Sequence, residues 1–256
     1  MSIATIILTK NEERNIGLCL DGLKWCDEVI IIDDYSEDNT VKIARSRGAA
    51  IFKKRLNNDF SSQRNFGLGK AKGEWVLFID ADEIVSSSLA KDIVRRIRKN
   101  NNIYSGFYLP RQEIFNGKKL ISSDKPLHDW SSGFIYLLRL AKKNSGKWQK
   151  KVHEEWGIRG KVGKLKSPLY HYSFPNITTA LKKINLYTSI RADQLFKDGK
   201  KVSSLQIIYY PLGKFLKNFF WHQGFRDRTT GLVYCLLMSF HSFLVRGKLW
   251  QLNQGK

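Results

Sequence analysis

The amino-acid sequence predicts an α/β fold with a mostly parallel central sheet flanked by helices, an antiparallel region after it, and a C-terminal tail of amphipathic helices. Strand-like and helix-like segments alternate over the first hundred residues. Aromatic and glycine-rich strand-like pieces then fill residues 103–172, and basic-aromatic segments follow from residue 197 onward. Alternation of strands with helices is typical of βαβ units, which build parallel sheets.

The elements of the first hundred residues follow from their apolar spacing. Continuous apolar, β-branched runs predict strands buried on both faces, at 3–8, 28–33, 50–53 and 75–79. Helices are predicted between and after these strands, in part from apolar residues at i, i+3, i+4 and i+7. The first spans 12–23, and the second runs from a cap at Ser36 or Asp38 to Gly48. The third and fourth span 62–72 and 88–99. A later helix is predicted from Ile177, behind Asn176 as its cap.

Composition excludes several classes of protein. The 256 residues are 42% hydrophobic and 26% charged, which is ordinary globular usage and excludes a disordered chain, a collagen or a coiled coil. The formal net charge of +21 favours a polyanionic partner, either nucleic acid, an anionic membrane or a phosphorylated ligand. Three cysteines match neither a disulfide framework nor a zinc ribbon. Free thiols fit a reducing compartment, and the N-terminus does not resemble a signal peptide.

The tail from residue 197 combines positive charge with apolar and aromatic segments, which lie at 205–210, 215–221 and 232–245. The longest apolar run, 231–245, is shorter than the roughly 20 residues that span a bilayer. Basic-aromatic helices of this kind commonly lie in the membrane interface. We therefore expect the tail to bind an anionic membrane surface. A helical hairpin packed on the core, or a homodimer through these helices, is the alternative.

Three polar clusters follow predicted strands at their carboxyl ends, where open α/β sheets bind ligands. The first holds Asp80, Asp82 and Glu83, the second runs from Asp33 to Asp38, and the third runs from Asn11 to Glu13. Carboxylates two residues apart at a strand end can hold a divalent cation that bridges phosphate oxygens. Helix capping accounts for any one cluster, but it does not predict all three at one edge of the sheet.

Four motifs in order make the sequence recognisable. They are TKNEERNI at 9–16, IDDYSEDNT at 32–40, QRNFG at 63–67 with AKGEW at 71–75, and DADE at 80–83. With them the chain resembles the family 2 glycosyltransferases of the GT-A fold, and among these the small bacterial β-glucosyltransferases of lipopolysaccharide-core assembly. VHE at 152–154 and LYHY at 169–172 extend the resemblance to about residue 190.

The resemblance implies a nucleotide-sugar donor, a divalent cation (Mg²⁺ or Mn²⁺) and inversion at the anomeric carbon. It places Thr9, Asn11 and Glu12 beside the nucleoside and Asp34 against the base. It assigns Arg64 to the base or the diphosphate, Asp80 to the ribose or sugar, and Asp82 to the metal. Tyr35 departs from the family pattern, which usually has glycine at this position, so the tight turn there comes into question.

The reaction also requires a base, because the acceptor hydroxyl must lose its proton as it attacks. The carboxylates considered are Glu154, Glu155 and Asp129. We favour Glu154, which follows His153 in the matched VHE motif, and Asp129 is the alternative. His153 is predicted as a further metal or diphosphate contact, or else it bonds only within an antiparallel strand. His171, between two tyrosines, is interpreted as a core histidine.

The resemblance gives each region a role. Residues 1–100 form the nucleotide-sugar-binding half, residues 101–195 the acceptor-side half of the same GT-A domain, and residues 196–256 the basic amphipathic tail. The expected reaction moves a hexose, UDP being the favoured carrier, to a lipid-linked or lipopolysaccharide-core acceptor. The tail and the lack of a leader favour a cytoplasmic protein at the cytosolic face of the inner membrane.

Two other functions explain less of the sequence. A nucleic-acid-binding protein fits the positive charge, but there is no zinc-finger spacing or RNP-type aromatic motif, and the Asp-rich clusters repel phosphate unless a metal intervenes. We therefore expect no nucleic-acid partner. A nucleotidyltransferase also uses carboxylates and a metal, but it normally has a glycine-rich basic loop after its first strand, where this chain has Asn11-Glu12-Glu13.

Overall fold

Two groups of elements make up the computed structural model, which describes residues 1–99, 103–120, 128–129, 134–150, 154–174 and 176–255. In chain order the strands are β1 (Ile3–Thr9), β2 (Glu28–Asp33), β3 (Ala50–Lys53), β4 (Trp75–Asp80), β5 (Glu83–Val85), β6 (Gly106–Phe115), β7 (Lys118–Lys119), β8 (His128–Asp129), β9 (Phe134–Lys142), β10 (Gly146–Gln149), β11 (Glu155–Ile158), β12 (Val162–Lys164) and β13 (Leu169–Phe174).

The helices are α1 (Ile16–Asp21), α2 (Thr40–Ser46), α3 (Phe60–Lys70), α4 (Ser87–Arg98), α5 (Ile177–Lys197), α6 (Ser204–Leu216) and α7 (Arg228–Gln254). The first unit comprises residues 1–111 and 136–171, and the second comprises residues 112–135 and 172–256. The division by role into 1–100, 101–195 and 196–256 stays a prediction.

The first unit is built on a sheet whose strand order is β3-β2-β1-β4-β9-β6-β13-β5. Strands β3, β2, β1 and β4 are parallel, with β1 between β2 and β4. Strand β9 runs antiparallel to β4, and β13 runs antiparallel to β5. The predicted α/β fold with an antiparallel region is therefore confirmed, and the antiparallel strands extend the same sheet.

The parallel strands are buried because their residues are apolar on both faces. Ile6, Ile31 and Phe78 have no measurable exposure, and burying each such side chain stabilises the fold by about 1.5–3 kcal/mol. Helix α3 packs unusually close to this sheet at Gly67, where an added Cβ would lie 2.7 Å from the Cγ2 of Ile6. Glycine is therefore required at this position of the QRNFG motif.

The first two helices begin later than their apolar spacing predicts. Helix α1 starts at Ile16 rather than at residue 12, and α2 starts at Thr40 behind Asn39 rather than behind Ser36 or Asp38. The expected caps bond elsewhere, because the Ser36 hydroxyl donates to Asp33 and Asp38 accepts from the backbone of Glu13 and Thr40. These residues form a loop at the end of β2, where the predicted polar cluster lies.

The second unit is mainly helical. Helices α5 and α7 share an apolar core with Phe115 and Leu120, to which they contribute Ala180, Ile184 and Leu237. Helix α5 begins at Ile177 as predicted, and the Asn176 side chain accepts a hydrogen bond from the backbone of Thr179 at 2.8 Å. The short strands β7 and β8 pair antiparallel with β6 and β9 through residues of this unit.

Helix α7 extends well beyond the apolar run that predicts it. Residues 224–254 form one helical stretch that is long and apolar enough to cross a membrane by length and composition alone. One third of its most apolar window is buried against the rest of the chain. Lys248 of this helix donates to the Asn185 carbonyl and side chain and to the hydroxyls of Thr188 and Ser189 on α5, at 2.6–2.9 Å.

Candidate active site

The predicted polar clusters meet at one edge of the sheet in the first unit. The parallel register places Thr9 opposite Asp33 and Leu8 opposite Asp80. The carboxyl ends of β1, β2 and β4 therefore lie side by side, as the alternation of strands and helices predicts.

The loops after β1 and β2 are joined through the residues that the resemblance assigns to the nucleoside. The Thr9 hydroxyl donates to Asp33 at 3.3 Å, and the Asn11 side chain accepts from the backbone of Glu37 at 2.9 Å. The Glu12 backbone donates to the Thr40 hydroxyl at 2.7 Å. Thr9, Asn11 and Glu12 thus each bond to the end of β2 or to the loop that follows it.

Asp34 connects this group to the loop after β3. One of its carboxylate oxygens lies 3.0 Å from the Lys10 ammonium, and the other accepts from the backbone of Leu56 at 3.0 Å. Its side chain is 12% exposed. Asp34 therefore lies beside Thr9, whose carbonyl accepts from the Asp34 backbone at 2.9 Å. Its contact with the base stays a prediction.

Tyr35 keeps the tight turn that glycine normally allows. Its φ angle is 54°, in the left-handed region that disfavours residues with a side chain. The ring is partly exposed, and the Arg55 guanidinium lies 4.4 Å from its centre. Tyr35 therefore adopts the left-handed conformation itself and adds an aromatic surface next to Asp34.

A buried group of charges lies at the end of β4. Both terminal nitrogens of Arg139 contact Asp80, at 2.6 and 3.4 Å. The fully buried Glu83 accepts from the Asp80 backbone at 2.9 Å and lies 3.3 Å from Arg111. Burial by itself would raise the pKa of Asp80, but the charges of Arg139, Arg64 and Arg111 outweigh it and hold that pKa well below its usual value.

Arg64 connects this charge group to Glu154. Its Nη2 lies 3.1 Å from Asp80, and its Nε lies 3.0 Å from Glu154. The guanidinium rests against the rings of Trp148 and Phe78 at 4.6 and 5.6 Å. Within the described part of the chain, its buried Nη1 has no hydrogen-bond acceptor. The structure thus brings together Arg64, Asp80 and Glu154.

Asp82 lies next to His171 on β13. The Asp82 Oδ1 and the His171 Nε2 are 3.3 Å apart, and both side chains are largely buried. Strand β13 pairs antiparallel with β5 and sets His171 opposite Glu83, and this register brings His171 next to Asp82. The residue that the sequence analysis interprets as a core histidine therefore has an ionisable partner at the predicted metal position.

Two predicted site residues cannot be placed with the others. His153 lies outside the described residues. Asp129, on β8, pairs with Phe134 of β9, but the side chain of Asp129 lies outside the described atoms. Their predicted roles, as a metal or diphosphate contact and as the alternative base, stay predictions. Glu155, also considered as a base, is exposed and lies 2.6 Å from Lys150.

Two further site residues, Arg111 and Arg139, lie outside the motifs and were not predicted. Arg111 is the one basic residue of GFYLPRQEIF, and Arg139 lies inside the largely apolar FIYLLRLAK, which ends at Lys142. A charged residue in such a strand is almost never buried unless it is paired, so this pattern was the available signal. The acidic partners, Asp80 and Glu83, could not be identified without the strand order.

Comparisons with known proteins bear on the family of this chain. Residues 4–157 match the model of glycosyl transferase family 2. An uncharacterized glycosyltransferase of Rickettsia typhi is 30% identical over 98% of this chain and 87% of its own length. The lipopolysaccharide core biosynthesis glycosyltransferase LpsC of Rhizobium meliloti is 24% identical over 98% of this chain and 93% of its own length.

Among solved structures, S. aureus TarS residues 1–349 in complex with UDP is similar, with a TM-score of 0.48 and 16% identity over 100% of this chain and 92% of that one. The family match covers more than half of the chain, and it includes the loops after β1 and β2, helix α3 and the Asp80–Glu83 segment. The chain belongs to glycosyl transferase family 2.

Proposed function

We propose that this glycosyltransferase moves a hexose, with inversion, from a UDP-linked donor to a lipid-linked or lipopolysaccharide-core acceptor. The observation that carries the proposal is the position of the Asp82–His171 pair beside the charge group of Arg64, Asp80 and Glu154. A nucleotide-sugar needs a site for its diphosphate next to a site for its sugar. The name of the R. meliloti relative, a lipopolysaccharide core enzyme, supports the acceptor class.

The donor set fits a divalent cation that shares its coordination with the substrate. Asp82 supplies a carboxylate and His171 an imidazole. Mg²⁺ and Mn²⁺ both accept the carboxylate together with phosphate oxygens, and the imidazole suits Mn²⁺ better than the harder Mg²⁺. Across the described ranges, no group of three or more His, Cys, Asp or Glu side chains could hold a metal without help. Asp82 and His171 would therefore hold the cation with the diphosphate, where it would stabilise the negative charge of the leaving group.

Arg64 and Arg139 orient the residues around the sugar. Arg139 holds Asp80 from one side and Arg64 holds it from the other, which fixes the carboxylate and keeps it ionised for hydrogen bonds from ribose or sugar hydroxyls. Arg64 bonds both Asp80 and Glu154, and it thereby links the carboxylate proposed to meet the sugar to the proposed base.

Glu154 is proposed as the base. An acceptor oxygen attacks the anomeric carbon from the face opposite the diphosphate, and its proton passes to the Glu154 carboxylate. The bond between the anomeric carbon and the diphosphate oxygen breaks, and its electron pair leaves with the nucleotide. The Arg64 Nε donates to Glu154 at 3.0 Å and would hold this carboxylate in position before the attack. Asp129 is the alternative base.

The proposed location is the cytosolic face of the inner membrane. Helix α6 presents Leu205, Ile208, Leu212 and Leu216 on one side, and each is more than half exposed. This spacing makes an apolar stripe, and basic residues flank it at Lys201 and Lys217. Such a helix is suited to the interface of an anionic leaflet. A homodimer through the same stripe is the other arrangement that would cover it.

The donor site is tested by calorimetric titration of UDP with and without Mn²⁺. We expect metal-dependent binding by the unmodified protein, and its loss in Asp82→Ala. Asp21→Asn, an exposed carboxylate on α1, serves as the control and should bind normally. If the folded protein binds neither UDP nor GDP with either cation, the proposed function is wrong.

The base is tested with Glu154→Gln. This variant should retain UDP binding with Mn²⁺ but lose hexose transfer by about 10²–10⁴-fold, the usual contribution of a general base. Full transfer activity in Glu154→Gln, with loss in Asp129→Asn, would assign the base to Asp129 instead.

Membrane binding is tested by sedimentation with anionic liposomes. Ile208→Ser combined with Leu212→Ser should reduce co-sedimentation, because the stripe on α6 loses its apolar contact. Leu186→Ser, an exposed leucine on α5, is the matched control. If the double variant sediments as well as the control, and the protein is dimeric in solution, the stripe is a dimer interface.

A further inference from the structure

The second unit contains a groove that the proposed reaction does not use. It lies between α5, α6 and α7 and has a volume of about 810 Å³. Helix α6 forms one wall through Tyr209, Tyr210 and Gly213, and α7 forms the opposite wall from His241 to Leu249. The segment between α5 and α6 closes one end with Lys200, Lys201 and Val202.

The groove is strongly cationic. Its lining includes six basic residues and, among the described residues, no carboxylate: Arg191, Lys200, Lys201, Lys214, Lys217 and Arg246. The lysines lie before the first turn and at the last turn of α6, whose 13 residues span about 20 Å. Positive charge therefore lines the groove along its whole length, and an anionic ligand would complement it.

Arg246 is held in place within the groove without an acidic partner. Its Nη1 donates to the carbonyl and the hydroxyl of Ser242, at 3.1 and 2.9 Å, and its guanidinium lies 3.7 Å from the centre of the Tyr210 ring. Within the described ranges, no carboxylate forms an ion pair with it. A half-buried guanidinium in this position is oriented in advance for a phosphate or carboxylate of a ligand.

Apolar side chains complete the lining. Leu195, Val202, Val245 and Leu249 face the same groove as the basic residues, and the exposed stripe of α6 lies on the same helix as Tyr209 and Tyr210. An inorganic anion would contact only the basic residues. A ligand with a charged head and a hydrocarbon chain would contact both kinds of lining, the basic residues with its head and the partly or largely buried apolar residues with its chain.

We propose that this groove binds an anionic phospholipid, with the phosphate headgroup at Arg246 and the surrounding lysines and the upper part of an acyl chain against Leu195, Val245 and Leu249. The site goes beyond the proposed transfer reaction, because it requires neither the donor nor the metal. It gives the protein recognition of an individual lipid in addition to general attraction to an anionic surface.

The test uses the full chain and short-chain lipids below their micelle concentration, measured by calorimetry. Dihexanoyl phosphatidylglycerol should bind at least ten-fold more tightly than dihexanoyl phosphatidylcholine or glycerol 3-phosphate. Lys200→Gln with Lys201→Gln should weaken binding about 25-fold, since each basic residue near an anionic headgroup contributes about five-fold. Lys182→Gln with Arg226→Gln removes the same charge outside the groove and should change binding less than two-fold.

Three results would overturn the proposal. They are equal binding of glycerol 3-phosphate, equal loss in the two double variants, and tighter binding of a single-stranded oligonucleotide than of the lipid. Titration of UDP with Mn²⁺ into the same variants separates this question from the transfer reaction. Normal UDP binding together with weakened lipid binding in Lys200→Gln with Lys201→Gln would support the lipid site in the groove. If the unmodified protein binds the lipid but not UDP, the lipid site stands and the proposed donor is wrong.

Discussion

Arg139 holds the carboxylate of Asp80 with both of its terminal nitrogens, Nη2 at 2.6 Å and Nη1 at 3.4 Å. Arg139 is buried, and its Nη2 also lies 3.7 Å from the fully buried Glu83. One guanidinium therefore compensates two carboxylates at the end of β4. The pKa of Arg139 is raised above its usual value, because the charges of Asp80 and Glu83 outweigh the effect of burial.

Loss of this guanidinium should be strongly destabilising. Arg139→Gln leaves Glu83 and Asp80 with less compensation, and removal of one partner from a buried ion pair costs about 3–5 kcal/mol. Urea unfolding, followed by circular dichroism, measures the free energy of unfolding. Lys150→Gln, which removes an exposed ion pair with Glu155, should cost less than about 1 kcal/mol. Equal effects of the two substitutions would contradict the role assigned to Arg139.

Two glycines of α3 should respond in opposite directions to the same substitution. Gly67→Ala adds a methyl group 2.7 Å from Ile6 and 3.1 Å from Ile32, so overpacking should destabilise the protein by about 1–3 kcal/mol. Gly69→Ala meets no atom within 4 Å and should stabilise it by about 0.5–1 kcal/mol through helix propensity. Thermal and urea unfolding of both variants would show the difference. A stabilising Gly67→Ala would disprove the close packing of α3.

Asp92 should make folding stability depend on acid pH. Its buried carboxylate accepts from Arg95 at 2.9 Å and from the backbone of Lys166 at 3.1 Å. Burial opposes ionisation, but these hydrogen bonds outweigh it and lower the pKa of Asp92 from 3.8. The unfolded chain therefore binds a proton at Asp92 more readily than the folded chain does. The stabilisation of the fold by the ionised Asp92 is complete above about pH 5, and it is lost as the pH falls through 3.8 to the lower pKa of the folded state.

The variant that removes this contribution is Asp92→Asn. It should be less stable than the unmodified protein by about 1 kcal/mol at pH 7, and the two unfolding free energies should converge at acid pH. Urea titrations at several values of pH measure the difference. A difference that is constant with pH would mean that the ionisation of Asp92 is not linked to folding.

Tyr35 should tolerate glycine better than valine. Tyr35→Gly removes the left-handed strain of about 1–2 kcal/mol, but it also loses the contact with Arg55 and increases the freedom of the unfolded chain. We expect the net change in unfolding free energy to stay within about 1 kcal/mol. Tyr35→Val places a β-branched residue at φ 54° and should destabilise the protein more. If valine is as stable as glycine, the turn does not have this conformation in solution.

Much of the first unit could be predicted from local patterns. The predicted strands at 28–33 and 50–53 match β2 and β3, and the helix at Ile177 begins at its predicted residue. Apolar runs and caps act over a few residues, so the sequence displays them directly. The starts of α1 and α2 could not be predicted, because residues 11–15 and 36–40 bond to each other across 25 or more positions.

The candidate site, too, could be predicted only in part from the sequence. Ordered motifs predicted Thr9, Asn11, Asp34 and Asp80 as neighbours, since the carboxyl ends of parallel strands meet at one edge. They did not predict that His171 lies beside Asp82 or that Arg139 holds Asp80. Both contacts depend on antiparallel strands contributed from far along the chain, and no local pattern encodes their register.

The sequence by itself determined the fold class, the family and the strand ends at which the site forms, because apolar periodicity and four short motifs are local properties of the chain. Only the tertiary structure decided which charges are paired, which glycine packs against Ile6, and where the basic residues of the tail surround a groove. These features arise from contacts between distant residues. Their energies depend on burial and distance, which exist only once the chain has folded.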